Sequence, residues 1–161
     1  MASNMFLKIG EVKGECKEDM HKEWIDVESY SEGVINTGSS SFGGGAGTGV
    51  VQYSDFNITC QLEKAIPTLM NACATLQHFP EAKLECIKMG TDAFVYLRVT
   101  LKDVVVASVQ KSGAMNSLPH VSVALNFAKI HTEYFEQTAE GGVGTSTQAG
   151  WDQKINKTFA G

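Results

Sequence analysis

AIPTLMNACATLQHF, residues 65–79, is the one stretch of this 161-residue chain in which apolar side chains recur at helical rather than strand spacing. Leu69, Cys73 and Leu76 fall at i, i+4 and i+7, and Met70 and Ala72 widen the stripe, so one face seeks a core. Pro67 suits a first helical turn, where its missing N–H would have had no partner, and Pro80 closes the segment. The spacing predicts a helix over about 66–78 within this stretch. Its caps are weak: Ile66 offers no side-chain oxygen to the free N–H groups, and residues 76–79 hold no glycine for a left-handed exit. Most other long runs alternate with period two, which makes this a lone helix packed on a β structure.

Before the helix, residues 5–9 read as a first strand, followed by a polar, solvent-favouring turn region over 10–21 with the charge run Lys17, Glu18, Asp19. Residues 23–30 alternate, with Trp24 apart from Ile25, Val27 and Ser29. Residues 50–62 alternate again, but Val51 and Tyr53 slip against Phe56, Ile58 and Cys60, which predicts a bulge near Ser54. After the helix, 82–87, 94–101 and 104–110 read as a three-strand meander, the last two strands joined by a tight turn at Lys102 and Asp103. In residues 120–129, Val121, Val123, Leu125 and Phe127 share one face, and 131–137 continues or pairs with that strand. A glycine-rich turn at 141–144 leads to a last strand over 148–155. About nine strands and one helix imply a sandwich or closed barrel.

With 43% hydrophobic residues the chain can bury a core as one domain spanning 1–161. A formal net charge of −5 with scattered basic residues argues against nucleic acid. The N-terminus has no basic segment followed by an apolar one, and no run is long enough to span a bilayer. The expectation is therefore a cytoplasmic chain whose export would use a route that reads the folded protein. Cys16, Cys60, Cys73 and Cys86 show no CxxC pair and no metal-like spacing, and read as core thiols.

NTGSSSFGGGAGTG, residues 36–49, is glycine-rich and too poor in side chains to hold one conformation alone. A phosphate-cradling loop fails here: Gly44 and Gly49 have the Walker spacing, but Val50 and Val51 stand where Lys and Ser or Thr are required. A segment that orders against a partner surface fits better. Catalytic chemistry is not legible either. His21, His78, His120 and His131 are scattered, Cys73 and His78 do not share a helical face, and the carboxylates are dispersed.

FLKIGEVKGE (6–15), HKEWIDVESYSEG (21–33), LEKAIPTLMNAC (62–73), HFPEAKLECIKMG (78–90), YLRVTLKDVVVASV (96–109) and VSVALNFAKIHTEY (121–134), with the glycine-rich loop, resemble the haemolysin-coregulated protein family, the tube subunit of bacterial type VI secretion. The resemblance implies a mainly β fold, two antiparallel sheets forming a small β-barrel with one flanking α-helix over about 65–79. It also implies homo-hexameric rings stacked into a hollow tube, inside a contractile sheath, capped by a VgrG-type spike and carrying effector proteins in the lumen. Such a tube is built in the bacterial cytoplasm and secreted without a signal peptide. The family's extended loop matches about 36–49, so Thr37, Gly38, Ser39, Ser40, Ser41, Phe42, Gly43, Gly44, Gly45, Ala46 and Gly47 are expected to form the ring-stacking arm. Tyr30, Ser31 and Glu32 match a family position near the inner wall, usually aromatic, Ser, aromatic; Glu32 departs from it. Glu63 replaces a usual Asp, and Leu76 stands where a Gly commonly closes the helix.

The expectation is thus a tube protein that is not an enzyme, with no catalytic residue, cofactor or metal, binding no nucleic acid and entering no membrane. The alternative is a small-ligand-binding β-barrel, which a roomy polar interior would favour and a tightly filled apolar one would not.

Overall fold

Eleven strands and one helix are present among residues 4–38, 49–89 and 93–161, the residues described by the structure, a computed structural model. In order they are β1 (Met5–Ile9), β2 (Ile25–Val27), β3 (Ser29–Ser31), β4 (Val34–Asn36), β5 (Val51–Tyr53), β6 (Phe56–Gln61), α1 (Ala65–Thr75), β7 (His78–Lys88), β8 (Phe94–Ser112), β9 (His120–Gln137), β10 (Val143–Asp152) and β11 (Lys157–Thr158). Every strand pair is antiparallel.

The main sheet has nine strands, running β11-β10-β9-β8-β7-β1-β2, with β6 added to β9 and β3 to β6; β4 and β5 make a separate two-stranded sheet. Strand β9 is the spine. Its first half pairs with β6 from Gln61↔His120 to Phe56↔Leu125, and its second half with β10 from Asp152↔Lys129 to Val143↔Gln137, while β8 runs along its other edge. The expected closed barrel is not confirmed: among the described residues β2 is laddered to β1 and β3 to β6, with no ladder between β2 and β3. Glu28 alone separates those two strands, and its N–H donates to Thr59 O at 2.8 Å.

The alternation read from sequence puts Phe56, Ile58 and Cys60, and Val121, Val123, Leu125 and Phe127, into one apolar core with Leu7, Ile9, Ile25, Val27, Leu84, Val99 and Leu101. Each fully buried Leu, Ile or Phe contributes roughly 1.5–3 kcal/mol. The helix closes this core against β8 with Ala65, Ile66, Leu69 and Ala72. It is shorter than expected, and its stripe begins earlier. Leu76 ends it in the left-handed region (φ 52, ψ 46), so it and Met70 are exposed and Pro80 lies within β7. A non-glycine residue takes the left-handed exit here, and Gln77 N–H closes the turn on Ala72 O at 2.9 Å.

Four further expectations are corrected. The turn at Lys102 and Asp103 is absent: β8 runs unbroken through it, Lys102 and Val104 staying in register with Glu81 and Phe79 on β7. Asp103 takes φ 54 opposite Pro80, which has no N–H to give the ladder. The slip near Ser54 is a change of sheet rather than a bulge, since β5 pairs with β4 and β6 with β3 and β9. The last strand starts at Val143 and ends at Asp152, with β11 after it. Finally, residues 10–21, expected as a solvated turn region, keep Lys17 and Asp19 exposed but bury Gly14, Cys16 and His21, and with 22–24 form a strap across the outer face. Cys16 N–H donates to Trp24 O at 3.0 Å and Gly14 N–H to Glu23 O at 2.7 Å, while Phe6, Cys16 and Ile87 form a second small core beneath. Any Cβ at Gly14 would lie 2.4 Å from Trp24 O, so only glycine lets the strap fold this closely.

Candidate functional site

Alternation gives the half-sheet β3-β6-β9-β8 an outward face with two adjacent rows of small polar side chains. Ser31 lies opposite Asn57, Asn57 opposite Ala124, and Ala124 opposite Ser108. The neighbouring row reads Ser29, Thr59, Ser122, Gln110. Ser29 Oγ and Thr59 Oγ1 are 2.6 Å apart, and Asn126 Nδ2 donates to Asp55 Oδ1 at 3.0 Å. These two rows carry hydroxyls and amides, no ionised group and no large apolar side chain. The outward face of β7, the first half of β8 and the second half of β9 is the reverse. There Lys83 and Lys102 flank Glu81, and Arg98 reaches Glu85 at 2.5 Å and Glu133 at 3.8 Å.

Of the residues expected near an inner wall, Ser31 belongs to the neutral face and is exposed. Tyr30 does not: it points to the core, its ring stacked on Phe56 at 5.8 Å, and burial raises its hydroxyl pKa. Glu32 is exposed just past the end of the strand, yet surrounding protein lifts its carboxyl above the usual range; burial, and after it the charge of Glu32, raises the Tyr53 hydroxyl.

The expected arm starts from the β4–β5 pair. Thr37 N–H donates to Val50 O at 3.3 Å, Val50 N–H to Thr37 Oγ1 at 3.1 Å, and Gly38 N–H to Asn36 Oδ1 at 2.7 Å. Ser39, Ser40, Ser41, Phe42, Gly43, Gly44, Gly45, Ala46 and Gly47 lie outside the described residues. The stem exposes Val34, Ile35 and Val50 at 55%, 61% and 61%, apolar surface that its separate two-stranded sheet leaves uncovered.

The reactive side chains are built into packing. Burial pushes the thiols of Cys16, Cys60 and Cys86 up to about 11, 12 and 11, which keeps them protonated and poorly nucleophilic. His78 begins β7 rather than ending the helix, and His120 Nδ1 meets Glu28 at 3.0 Å. His21 is wholly buried, stacked on Phe6 at 4.3 Å and edge-on to Trp24 at 4.6 Å. Its ring nitrogens contact carboxylates of Glu18 and Glu85. Sequence reading missed this network because Glu18 lies in a charge run that favours solvent and nothing local to His21 or Glu85 marks them as partners. Only the pairing of Glu85 with Arg98 across two strands could have signalled a covered charge. The core side of the main sheet is filled by apolar side chains, which counts against the small-ligand barrel.

Three comparisons bear on what these surfaces serve. A family model described as "Type VI secretion system effector, Hcp" matches residues 6–134. Protein hcp1 of Pseudomonas aeruginosa is 42% identical over 160 residues, covering 97% of this chain and 98% of that protein. Among solved structures, one described as a type six secretion system protein superposes with a TM-score of 0.92 at 28% identity, over 98% of this chain and 100% of the other. Hcp1 from Salmonella typhimurium gives 0.80 at 31% identity, over 99% and 100%.

Proposed function

The chain belongs to the Hcp family of type VI secretion proteins, and from that premise we propose that it is the ring subunit of a secretion tube. One domain spanning 1–161 assembles as a homo-hexamer, and the rings stack into a hollow tube that is propelled out of the cell. The observation that carries this reading is a pair of adjacent neutral hydroxyl and amide rows on the outward surface, set apart from a charged face. A wall past which unrelated proteins travel works best without fixed charges or apolar patches that would hold them. Ser29, Ser31, Asn57, Thr59, Ser108 and Ser122 supply such a wall, and Ser31 is where the resemblance puts the lumen.

A closed ring needs two unlike patches on each subunit, and stacking needs a further contact along the axis. The β4–β5 stem with its exposed Val34, Ile35 and Val50, continued by residues 37–47, supports an axial arm that buries apolar surface only against the next ring. In this reading the chain acts by repetition, without catalytic chemistry or a cofactor. Effector proteins ride in the lumen, a VgrG-type spike caps the tube and a contractile sheath surrounds it. Assembly takes place in the bacterial cytoplasm and release needs no signal peptide. Among the described residues no helix is long and apolar enough to cross a membrane. Mass measurement in solution with negative-stain imaging tests the reading. Six-fold rings are expected, and a stable monomer at micromolar concentration without rings would refute it.

A further inference from the structure

The β4–β5 stem and the turn that joins β8 to β9 stand at opposite ends of one strand. β6 begins at Phe56, just after the stem, where Tyr53 meets Phe127, and ends at Gln61 opposite His120, where β9 begins. At about 3.3 Å per residue, its six residues hold these ends roughly 17 Å apart. The turn also leaves apolar surface uncovered. Leu62, whose N–H donates to Pro119 O at 3.0 Å, is 46% exposed, and Met115 and Leu118 within the turn are 88% and 65% exposed. We propose that Leu62, Met115 and Leu118 seat the stem of a second copy of this chain: Val34, Ile35 and Val50 of one copy cover the turn of the next, and Glu32 pairs with Lys111 across the contact.

Charge selects that occupant. Residues 23–63, which hold the stem, contain no Lys or Arg, and residues 104–132, which hold the turn, contain no Asp or Glu. Glu32 beside the stem and Lys111 beside the turn are both exposed, and neither joins an ion pair among the described residues. Glu28, which reaches the turn from β2's end, is already held by His120 at 3.0 Å. Turn against turn, or stem against stem, would bring like charges together. Stem on turn matches unlike charges and apolar surface at once. The stem cannot cover the turn of its own copy, because β6 holds the two apart. Contact between unlike patches then repeats without closing, since every added copy leaves one stem and one turn free.

The inference rests on the reading of the stem as an axial arm and supplies the surface that receives it. Ile35→Glu and Leu118→Glu, both at exposed positions, are made separately in the full chain. Analytical ultracentrifugation then gives the mass of each variant alone and of their equal mixture. Each variant alone is expected to stop at a single unit. The mixture is expected to double that mass, because the first variant keeps an intact turn and the second an intact stem. Whether the unit is a ring or a single chain is read from its own mass, so loss of the six-fold ring and loss of this contact are separate results. No doubling in the mixture overturns the inference. Stacking by Leu118→Glu alone also overturns it and assigns the turn to a different partner, and self-pairing of Ile35→Glu overturns it in favour of turn against turn. Glu32→Lys is expected to weaken stacking roughly fivefold at low salt, and Lys111→Glu added to the same chain to restore it. A double variant no better than Glu32→Lys overturns the pairing of the two charges.

Discussion

The imidazole Nε2 of His21 and the carboxylate Oε1 of Glu85, 64 positions apart in the chain, meet at 2.9 Å with both side chains buried. The other ring nitrogen faces Glu18, so both nitrogens of the ring meet a carboxylate. Arg98 shares Glu85 with the imidazole. One polar network thus fastens the strap over 10–24 to strands β7 and β8. Removing one member leaves its partners buried and unmatched. His21→Ala should lower stability by about 3 kcal/mol, within the range for breaking a buried hydrogen-bonded network. Hydrogen exchange should rise first in the strap while β9 stays protected. Urea unfolding and exchange of the same variant check both; an unchanged strap would show the network to be idle.

Glu63 gives a pH dependence whose sign follows from its raised pKa. Burial holds the folded carboxyl near 7, above the ordinary 4.5, so the folded state keeps a proton that the unfolded state has released. Stability from this group is complete below about 4.5 and is lost as pH rises through about 7. Glu63→Gln, which keeps an oxygen for Glu15 N–H at 2.9 Å, should flatten that slope. It should also stabilise the protein above pH 7 by about 1 kcal/mol, a figure discounted because the side chain keeps solvent contact. Denaturation midpoints from pH 4 to 8 for both proteins provide the measurement. A parallel pair of curves would mean that Glu63 is not the titrating group.

Leu76 holds φ 52 with its side chain 60% exposed, so its strain is not offset by packing. Leu76→Gly removes the clash of Cβ with its own carbonyl in the left-handed region and should raise stability by roughly 0.5–1 kcal/mol. The same change inside the helix would lower it by a similar amount. A shift of the thermal midpoint upward by a few degrees is expected, and a downward shift would show that Leu76 makes a contact worth more than the strain.

Period-two alternation made the core legible: Phe56, Ile58, Cys60, Val121, Val123 and Leu125 all fall where the pattern put them. What alternation cannot show is which edge a strand bonds to. Val51 and Phe56 sit in one run whose alternation slips once near Ser54, and the slip marks a change of sheet that a bulge would mimic. It also fails where a polar residue is covered from outside. Glu85 alternates correctly with Leu84 and Cys86, and only the strap, arriving from 64 residues away, buries it. Asp103 misled for a third reason. A left-handed Asp in a Lys-Asp pair fits a hairpin turn by local chemistry, but here partners on both sides hold β8 straight through it. The neutral face was legible only in part, as Ser31, because its rows are assembled from four strands.

The arm prediction separates assembly from folding. Val34, Ile35 and Val50 are exposed on a two-stranded sheet that shares no ladder with the main core, so changes there should leave the body intact. Ile35→Glu, at 61% exposure, should alter stability by less than about 0.5 kcal/mol. In the proposed tube it should nonetheless abolish stacking, because a carboxylate would have to leave water to enter an apolar contact. Deletion of residues 42–47 should act the same way, leaving single rings in electron micrographs. Rings that stack as before in both variants would remove the arm from the account while leaving the ring subunit standing. A monomer in both would show instead that this hairpin contributes to the contact within the ring.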